Sequence, residues 1–461
     1  MRFRARPETI RYRPFRALTA LGLAAVLAGL LLGPAGPAHA AGTTLYVPNL
    51  GGGTVSVVDA SSNTITTNIP VGSQPDHTAV TPDGSQVFVT NLFSDIVSVI
   101  STASDTVTAT IPVKGDAEDV AVAPSGAFAY VVDSSGFLTK IATATDTVAG
   151  SAFVGEAPRA LAIAPDSATL YVSGFSSAVS VVDTATLTVR AVIFADAQDS
   201  RGITVSPDGS QVYVAYNLSF ASGSLPASDV TVINAATDQV TAHITIAPFP
   251  QASLLAGIAV TPDGASVYVS DEEQDKVSVI SAASDTVTAT ISGLSSPTGI
   301  GISPAGTTAW VATTSTVSVI DTASNTVTGT ISGFTGAFGV SVSQSFYSFV
   351  GFFPPVDDQP AVNQANAGQA IPMQFTLNGN QGLNILSSGA PTVTQVNCGT
   401  GVPVNAATLT DTSGNSGLQY NATSDTYTYV WKTSKSWAGT CQVFSLGLND
   451  GSTHTATFQF S

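Results

Sequence analysis

The sequence predicts an all-β protein, a seven-bladed β-propeller followed by a small immunoglobulin-like β-sandwich. Three observations carry that expectation. A short strand pattern recurs at intervals near forty residues. Pro-Asp-Gly turns recur with it. The pattern then stops near residue 343, and a different set of alternating strands begins.

The recurring strand is five residues of apolar and small polar character. It reads VSVVD at Val55, VSVIS at Val97, LTKIA at Leu138, VSVVD at Val179, VTVIN at Val230, VSVIS at Val277 and VSVID at Val317, with successive offsets of 42, 41, 41, 51, 47 and 40 residues. A period near forty with several short strands per unit marks a propeller, with an all-β solenoid as the competing architecture. Seven markers predict seven blades.

Each marker has fixed neighbours. A strand such as LYVPN at Leu45 or VFVTN at Val87 precedes it, and one such as NTITTNI at Asn63 or DTVTATI at Asp285 follows. A small-residue strand then leads to a turn, as in HTAVTPDG at His77 and GIAVTPDG at Gly257. In that turn Pro presets one φ and Gly accepts the positive φ that follows. Asp83, Asp208 and Asp263 therefore read as turn residues rather than catalytic acids. The chain enters the repeat on the second strand type, at Tyr46, and leaves on the first, AFGVSVS at 337–343. Strands from both ends complete one blade, which removes the open edges an unclosed array would carry. The third copy departs most, with Lys140 in its marker, and the fifth carries an insertion at 217–229.

These segments, with YVPN at Tyr46, FVTN at Phe88 and YVSD at Tyr268, resemble the YVTN-repeat β-propellers over about residues 43–343. The resemblance implies an exported or surface-layer-associated protein. Related seven-bladed propellers include lactonases and haem-d1 domains, so the fold leaves the activity open.

Beyond the repeat, an aromatic, Pro-rich junction starting at Ser345 leads into AIPMQFTL at Ala370, YTYVWKT at Tyr427, CQVFSLGL at Cys441 and THTATFQF at Thr453. Their alternation and the Gly/Asn/Ser turns between them suggest a sandwich. GFFPPVD at Gly351, NAGQAIPMQF at Asn366, NGNQGLNIL at Asn378 and WAGTC at Trp437 resemble the PxKF domain found at the ends of bacterial exported proteins, over about 346–461. Gln374 stands where that family has Lys, so any role of the Lys is absent here. Cys398 and Cys441 are the chain's two cysteines. In an exported protein such a pair reads as a disulfide, and two thiols alone cannot complete a four-ligand zinc site. Trp431 and Trp437 read as core residues, with glycan stacking as the alternative.

The start of the chain has its own chemistry. Six Arg residues crowd the first sixteen positions, an apolar run follows to Leu32, and Ala38-His39-Ala40 ends it. That order is a secretory signal peptide over 1–40, cleaved after Ala40. Its apolar run is about 16 residues, short of the ~20 that a spanning helix needs. Cleavage removes those six Arg and Glu8, leaving 8 basic and 30 acidic residues, a net charge of −22. Such a surface repels nucleic acid and anionic membranes. No later run is long and apolar enough to span a membrane, so the expected product is secreted, extracellular or held at the cell surface.

No haem-attachment, zincin or nucleophile-elbow motif is present, and no cofactor is expected. One constellation remains. Superposing the copies places Asp76, Glu118, Arg159, Arg201, Ala256, Thr298 and Phe338 at the channel mouth, followed by His77, Asp119, Ala160, Gly202, Gly257, Gly299 and Gly339. Asp76, His77, Glu118, Asp119, Arg159 and Arg201 form a candidate ligand site, with Arg forks for carboxylate or phosphate oxygens and His77 as a possible base. The competing reading is an internal salt-bridge ring. The expected function is a binding, interaction or structural module of the cell envelope, not an enzyme, whose partner is another envelope or extracellular protein or a glycan. The alternative is a lactonase-like hydrolase using the same mouth.

Overall fold

The computed structural model describes residues 43–461 except 196, 220–226, 249–252, 345–348, 359, 378–382, 384, 387–389, 413–416 and 449–451. The leader 1–40, much of the 217–229 insertion, the start of the junction at Ser345 and most of the NGNQGLNIL segment lie outside the described residues. Among the described residues, regular structure is β-strand apart from one 3-10 turn, Lys435–Trp437.

Seven four-stranded antiparallel sheets occupy the repeat. In one, Pro75–Val80, Gln86–Asn91, Ile96–Ser101 and Thr106–Pro112 pair in chain order from inner to outer strand. The marker is the third strand. Its centre is buried on both faces, as at Val97, Val99 and Ile100, because a neighbouring sheet covers each side. Val97, Val99 and Ile111 pack with Val120 and Val131 of the next sheet, each buried Val or Ile contributing about 1.5–3 kcal/mol. Outer strands instead alternate exposed and half-buried residues, as TVTATIP does.

The inner strands adjoin in a closed circuit: Pro75–Val80, Ala117–Val122, Pro158–Ile163, Ala197–Val205, Leu255–Val260, Ile300–Ile302, Ser341–Gln344, and back to Pro75–Val80. Ser341–Gln344 pairs with Thr43–Asn49, placing Val342 opposite Leu45 and Ser341 opposite Tyr46. Across the closure Thr78 Oγ1 lies 2.6 Å from Ser341 Oγ. Regular pairing begins at Ser341, four residues later than the sequence suggested. Ala337 makes only an isolated bridge to Asn49, and Phe338 is shared, its N–H donating to Pro48 O at 3.2 Å and its carbonyl accepting from Gly299 N at 2.7 Å.

The Pro-Asp-Gly turns are built by their side chains. Asp83 Oδ1 accepts from Thr81 Oγ1 at 2.6 Å and from Ser85 N at 3.0 Å, and Gly84 sits at φ 70°. Asp208 and Asp263 repeat the arrangement. The Ser206 hydroxyl and the Ser210 amide and hydroxyl hold the Asp208 carboxyl down at about 2. The odd Lys140 is accommodated opposite Gly150, where its ammonium donates to Thr184 O at 2.8 Å and lies 4.0 Å over the Phe128 ring.

After the repeat come two five-stranded sheets. One contains Phe352–Phe353, Ala370–Phe375, Thr426–Lys432, Asp411–Thr412 and Gln419–Asn421. The other contains Val362–Ala365, Thr453–Phe460, Cys441–Gly447, Thr392–Val396 and Thr408–Leu409. Phe375, Tyr427, Trp431, Phe444, Phe458 and Phe460 fill their shared core. Trp431 is fully buried and Trp437 packs on it with ring centroids 5.7 Å apart, as core residues do. Cys398 is bridged to Cys441. Gln374 Nε2 lies 3.5 Å from Thr428 Oγ1 on the neighbouring strand, a long contact for an amide donor.

Candidate functional site

The mouth is shaped by one backbone irregularity used five times. Where each inner strand starts, its ladder to the second strand skips: between Pro75 and Thr78, Ala117 and Asp119, Pro158 and Ala160, Ser200 and Gly202, and Leu255 and Ile258. Such a bulge adds an unpaired residue and re-aims its side chain. The residues left out of the ladder are Asp76 with His77, Glu118, Arg159, Arg201, and Ala256 with Gly257. Partner-strand hydroxyls answer some of the freed amides: Thr90 Oγ1 accepts from His77 N at 3.0 Å, and Ser270 Oγ from Gly257 N at 2.7 Å. On two of the remaining strands the backbone leaves no room for a side chain at the second mouth position. A Cβ on Gly257 would stand 2.4 Å from Thr298 O, and one on Gly299 would stand 2.6 Å from Phe338 O.

All six predicted residues meet around the channel. A cavity of about 200 Å³ is lined by His77, Asp119, Leu161, Arg201, Ile258 and Phe338, among others. An adjoining hollow is lined by Asp76, His77, Glu118, Arg159, Arg201, Ala256 and Phe338. Thr298 is turned aside, its hydroxyl donating to Phe338 O at 2.7 Å. The start of the insertion shares this face, for Asn217 Nδ2 donates to Asp199 O at 2.9 Å on the strand that carries Arg201.

The charges divide into committed and uncommitted groups. His77 Nδ1 lies 3.1 Å from both Asp76 Oδ2 and Glu118 O. Burial disfavours the imidazolium, but the Asp76 and Asp119 carboxylates and these hydrogen bonds outweigh it and raise His77 to about 10. Asp119 spans two sheets, accepting from Val120 N at 2.7 Å and from Leu161 N at 2.9 Å, and burial holds its carboxyl above the usual range. Burial also raises Glu118, against the pull of Arg159.

The arginines are not closed into a ring of ion pairs. Arg159 stacks its guanidinium 4.1 Å from the Phe175 ring centre, and Arg201 Nε is 3.8 Å from Asp199 Oδ2, beyond hydrogen-bond length. Both Nε atoms are buried without an acceptor. Among the described residues no group of three or more His, Cys, Asp or Glu is placed to hold a metal ion.

A closed circuit of four-stranded sheets around a channel, with its charged residues at the inner-strand starts, defines a β-propeller. A family model described as a YNCE-like β-propeller matches residues 16–134. Hydrazine synthase of Kuenenia stuttgartiensis is similar at 24% identity and a TM-score of 0.56, the match covering 61% of this chain and 92% of that one. A functionally unknown protein of Desulfotomaculum acetoxidans is similar at 16% identity and a TM-score of 0.56, covering 66% of this chain and 99% of that one. At these identities the likeness is one of fold. No curated protein matches.

Proposed function

We propose that this chain is an exported, seven-bladed YVTN-type propeller over 43–343, preceded by a cleaved leader at 1–40 and followed by a PxKF-like immunoglobulin-type sandwich over 346–461, and that it works as a binding module of the cell envelope. Its ligand carries a carboxylate or phosphate and docks at the channel mouth. One observation carries the reading: Arg159 and Arg201 face the hollow with buried Nε atoms that no acceptor satisfies. Arg forks pair well with carboxylate and phosphate oxygens, and an unmet buried donor costs about 1–3 kcal/mol until something meets it. The disulfide and the absence, among the described residues, of a helix able to cross a membrane are compatible with export.

The hydrolase alternative draws less support. A histidine raised to about 10 is already protonated at neutral pH, so His77 is an acid and a donor there, not the base that the sequence suggested.

Calorimetric titration with acetate, succinate and inorganic phosphate tests the proposal. Binding by the wild type that is lost in the Arg159→Gln, Arg201→Gln double variant is the expected result. No binding by either protein, to these or to any other carboxylate or phosphate, would refute the mouth as a site.

A further inference from the structure

The mouth is not a simple anion site. Its lining is balanced, with Asp76, Glu118 and Asp119 against His77, Arg159 and Arg201. The inner pairings then decide what remains for a ligand. Asp76 is taken by His77, and Asp119 by two backbone amides. The groups left without a hydrogen-bonded partner are one carboxylate, Glu118, and two guanidiniums, Arg159, stacked on Phe175, and Arg201, whose Nε lies 3.8 Å from Asp199 Oδ2.

These three stand on consecutive inner strands, Ala117–Val122, Pro158–Ile163 and Ala197–Val205, so the negative pole lies directly beside the positive one. A plain anion on Arg159 would sit against the Glu118 charge, and a plain cation on Glu118 would sit against Arg159. A ligand that brings both charges a few bonds apart meets both poles.

We propose that the mouth binds a zwitterion, a free α-amino acid, with its carboxylate held by Arg159 and Arg201 and its ammonium by Glu118. This deepens the anion-binding reading above and rests on it. The space is small. Glu118, Arg159 and Arg201 line the hollow, of about 30 Å³, and Arg201 also lines the adjoining cavity of about 200 Å³, both below the roughly 300–1,000 Å³ of pockets that take drug-sized ligands. Phe175 is both 46% exposed and stacked on Arg159, so an apolar side chain has a surface to rest on.

The test is calorimetry on the full chain with the twenty free L-amino acids, followed by three forms of the best binder: the free acid, its N-acetyl derivative and its amide. The N-acetyl form keeps only the carboxylate, and the amide keeps only the ammonium. Each is expected to bind at least about tenfold more weakly than the free amino acid, since a charge-assisted hydrogen bond is worth about a factor of ten or more. Glu118→Gln should weaken the free amino acid by a similar factor and spare the N-acetyl form. Arg159→Gln should weaken both. An N-acetyl form that binds as tightly as the free amino acid, or a panel in which only simple carboxylates bind, overturns the zwitterion and leaves the anion site standing. A panel in which neither amino acids nor carboxylates nor phosphate bind overturns both.

Discussion

The Tyr268 hydroxyl donates to Asn325 Oδ1 at 2.5 Å, joining the second strand of one sheet to the outer turn of the next. The acceptor stands at φ 52°, the left-handed conformation that Asn and Asp tolerate best. The same turn position in other copies is Asn63, Asp105, Asp146, Leu187, Asp238 and Asp285, all at positive φ. One of them is also used from the preceding sheet, since Gln86 Nε2 donates to Asp146 Oδ1 at 3.1 Å. The turns at Asn325 and Asp146, and that at Asp238, which accepts from Arg190 at 3.1 Å, thus shape their own hairpins and receive a neighbour. Tyr268→Phe is expected to lower unfolding stability by about 1 kcal/mol, the usual worth of such a bond. Denaturant unfolding of the variant checks this, and an unchanged midpoint would mean that the contact carries no net weight.

The crowded side of the channel makes a sharper prediction. A methyl group on Gly299 would meet the backbone of the adjoining inner strand, which cannot rotate away as a side chain can. Gly299→Ala should destabilise by about 1–3 kcal/mol, the typical cost of overpacking. Gly417 has nothing within 4 Å of an added Cβ, so Gly417→Ala serves as a neutral control in the same melting experiment.

His77 gives a pH signature. Its folded value is raised to about 10 from an ordinary 6.5, so the stability it contributes is fully present below about pH 6.5 and lost as pH rises through about 10. The stability difference between wild type and His77→Gln should shrink steadily over that window. Chemical denaturation at pH 6, 8 and 10 measures it, and a difference that is flat or grows with pH contradicts the assignment.

Closure and the disulfide can be separated by truncation and reduction. A chain of residues 43–344 keeps Ser341–Gln344 beside Thr43–Asn49 and should stay soluble, whereas one of 43–336 loses that pairing and should aggregate through its exposed edge. Equal solubility of the two would show that the closing strand is dispensable.

The bridge lies far along the chain from the repeat. Cys441 is paired with Val396 in the sheet, and the bond reaches Cys398 two residues beyond that strand. Closing a loop over a separation of 43 residues should add about 3–4 kcal/mol to the sandwich. Reduction should lower only the calorimetric transition of the C-terminal sheets, because the repeat contains no cysteine. A shift of every transition by the same amount would contradict this.

The strand pattern was legible because its signals are local: alternation along VYVS or TVTATI and turn chemistry at Thr81 to Ser85 each lie within a few residues. Superposing the copies also brought out all six mouth residues. The bulges were not legible, since a bulge is a count of residues on one strand against those on another, and nothing in Ala117-Glu118-Asp119 alone announces that Glu118 has no partner. The fate of each charge was equally hidden. Whether Arg159 meets a carboxylate or the Phe175 ring depends on where a loop of its own sheet comes to rest. Tyr268 and Asn325, 57 positions apart, become neighbours only once two sheets are packed.

The pairing of Leu45 with Val342 fixes an order of events during synthesis. The strand made first waits for almost the last strand of the repeat before its sheet is whole, and until then its inner edge has no permanent occupant. Every intermediate sheet can form from contiguous chain, so assembly proceeds by addition, but the final step is a single long-range contact of the kind that slows folding most. A growing chain therefore holds an incomplete mouth throughout elongation, because Phe338, which lines both the cavity and the hollow beside it, arrives with the same segment as that closing strand. The enclosure of the mouth and topological completion come together, and a nascent chain halted short of residue 338 would present the charged residues without Phe338 beside them.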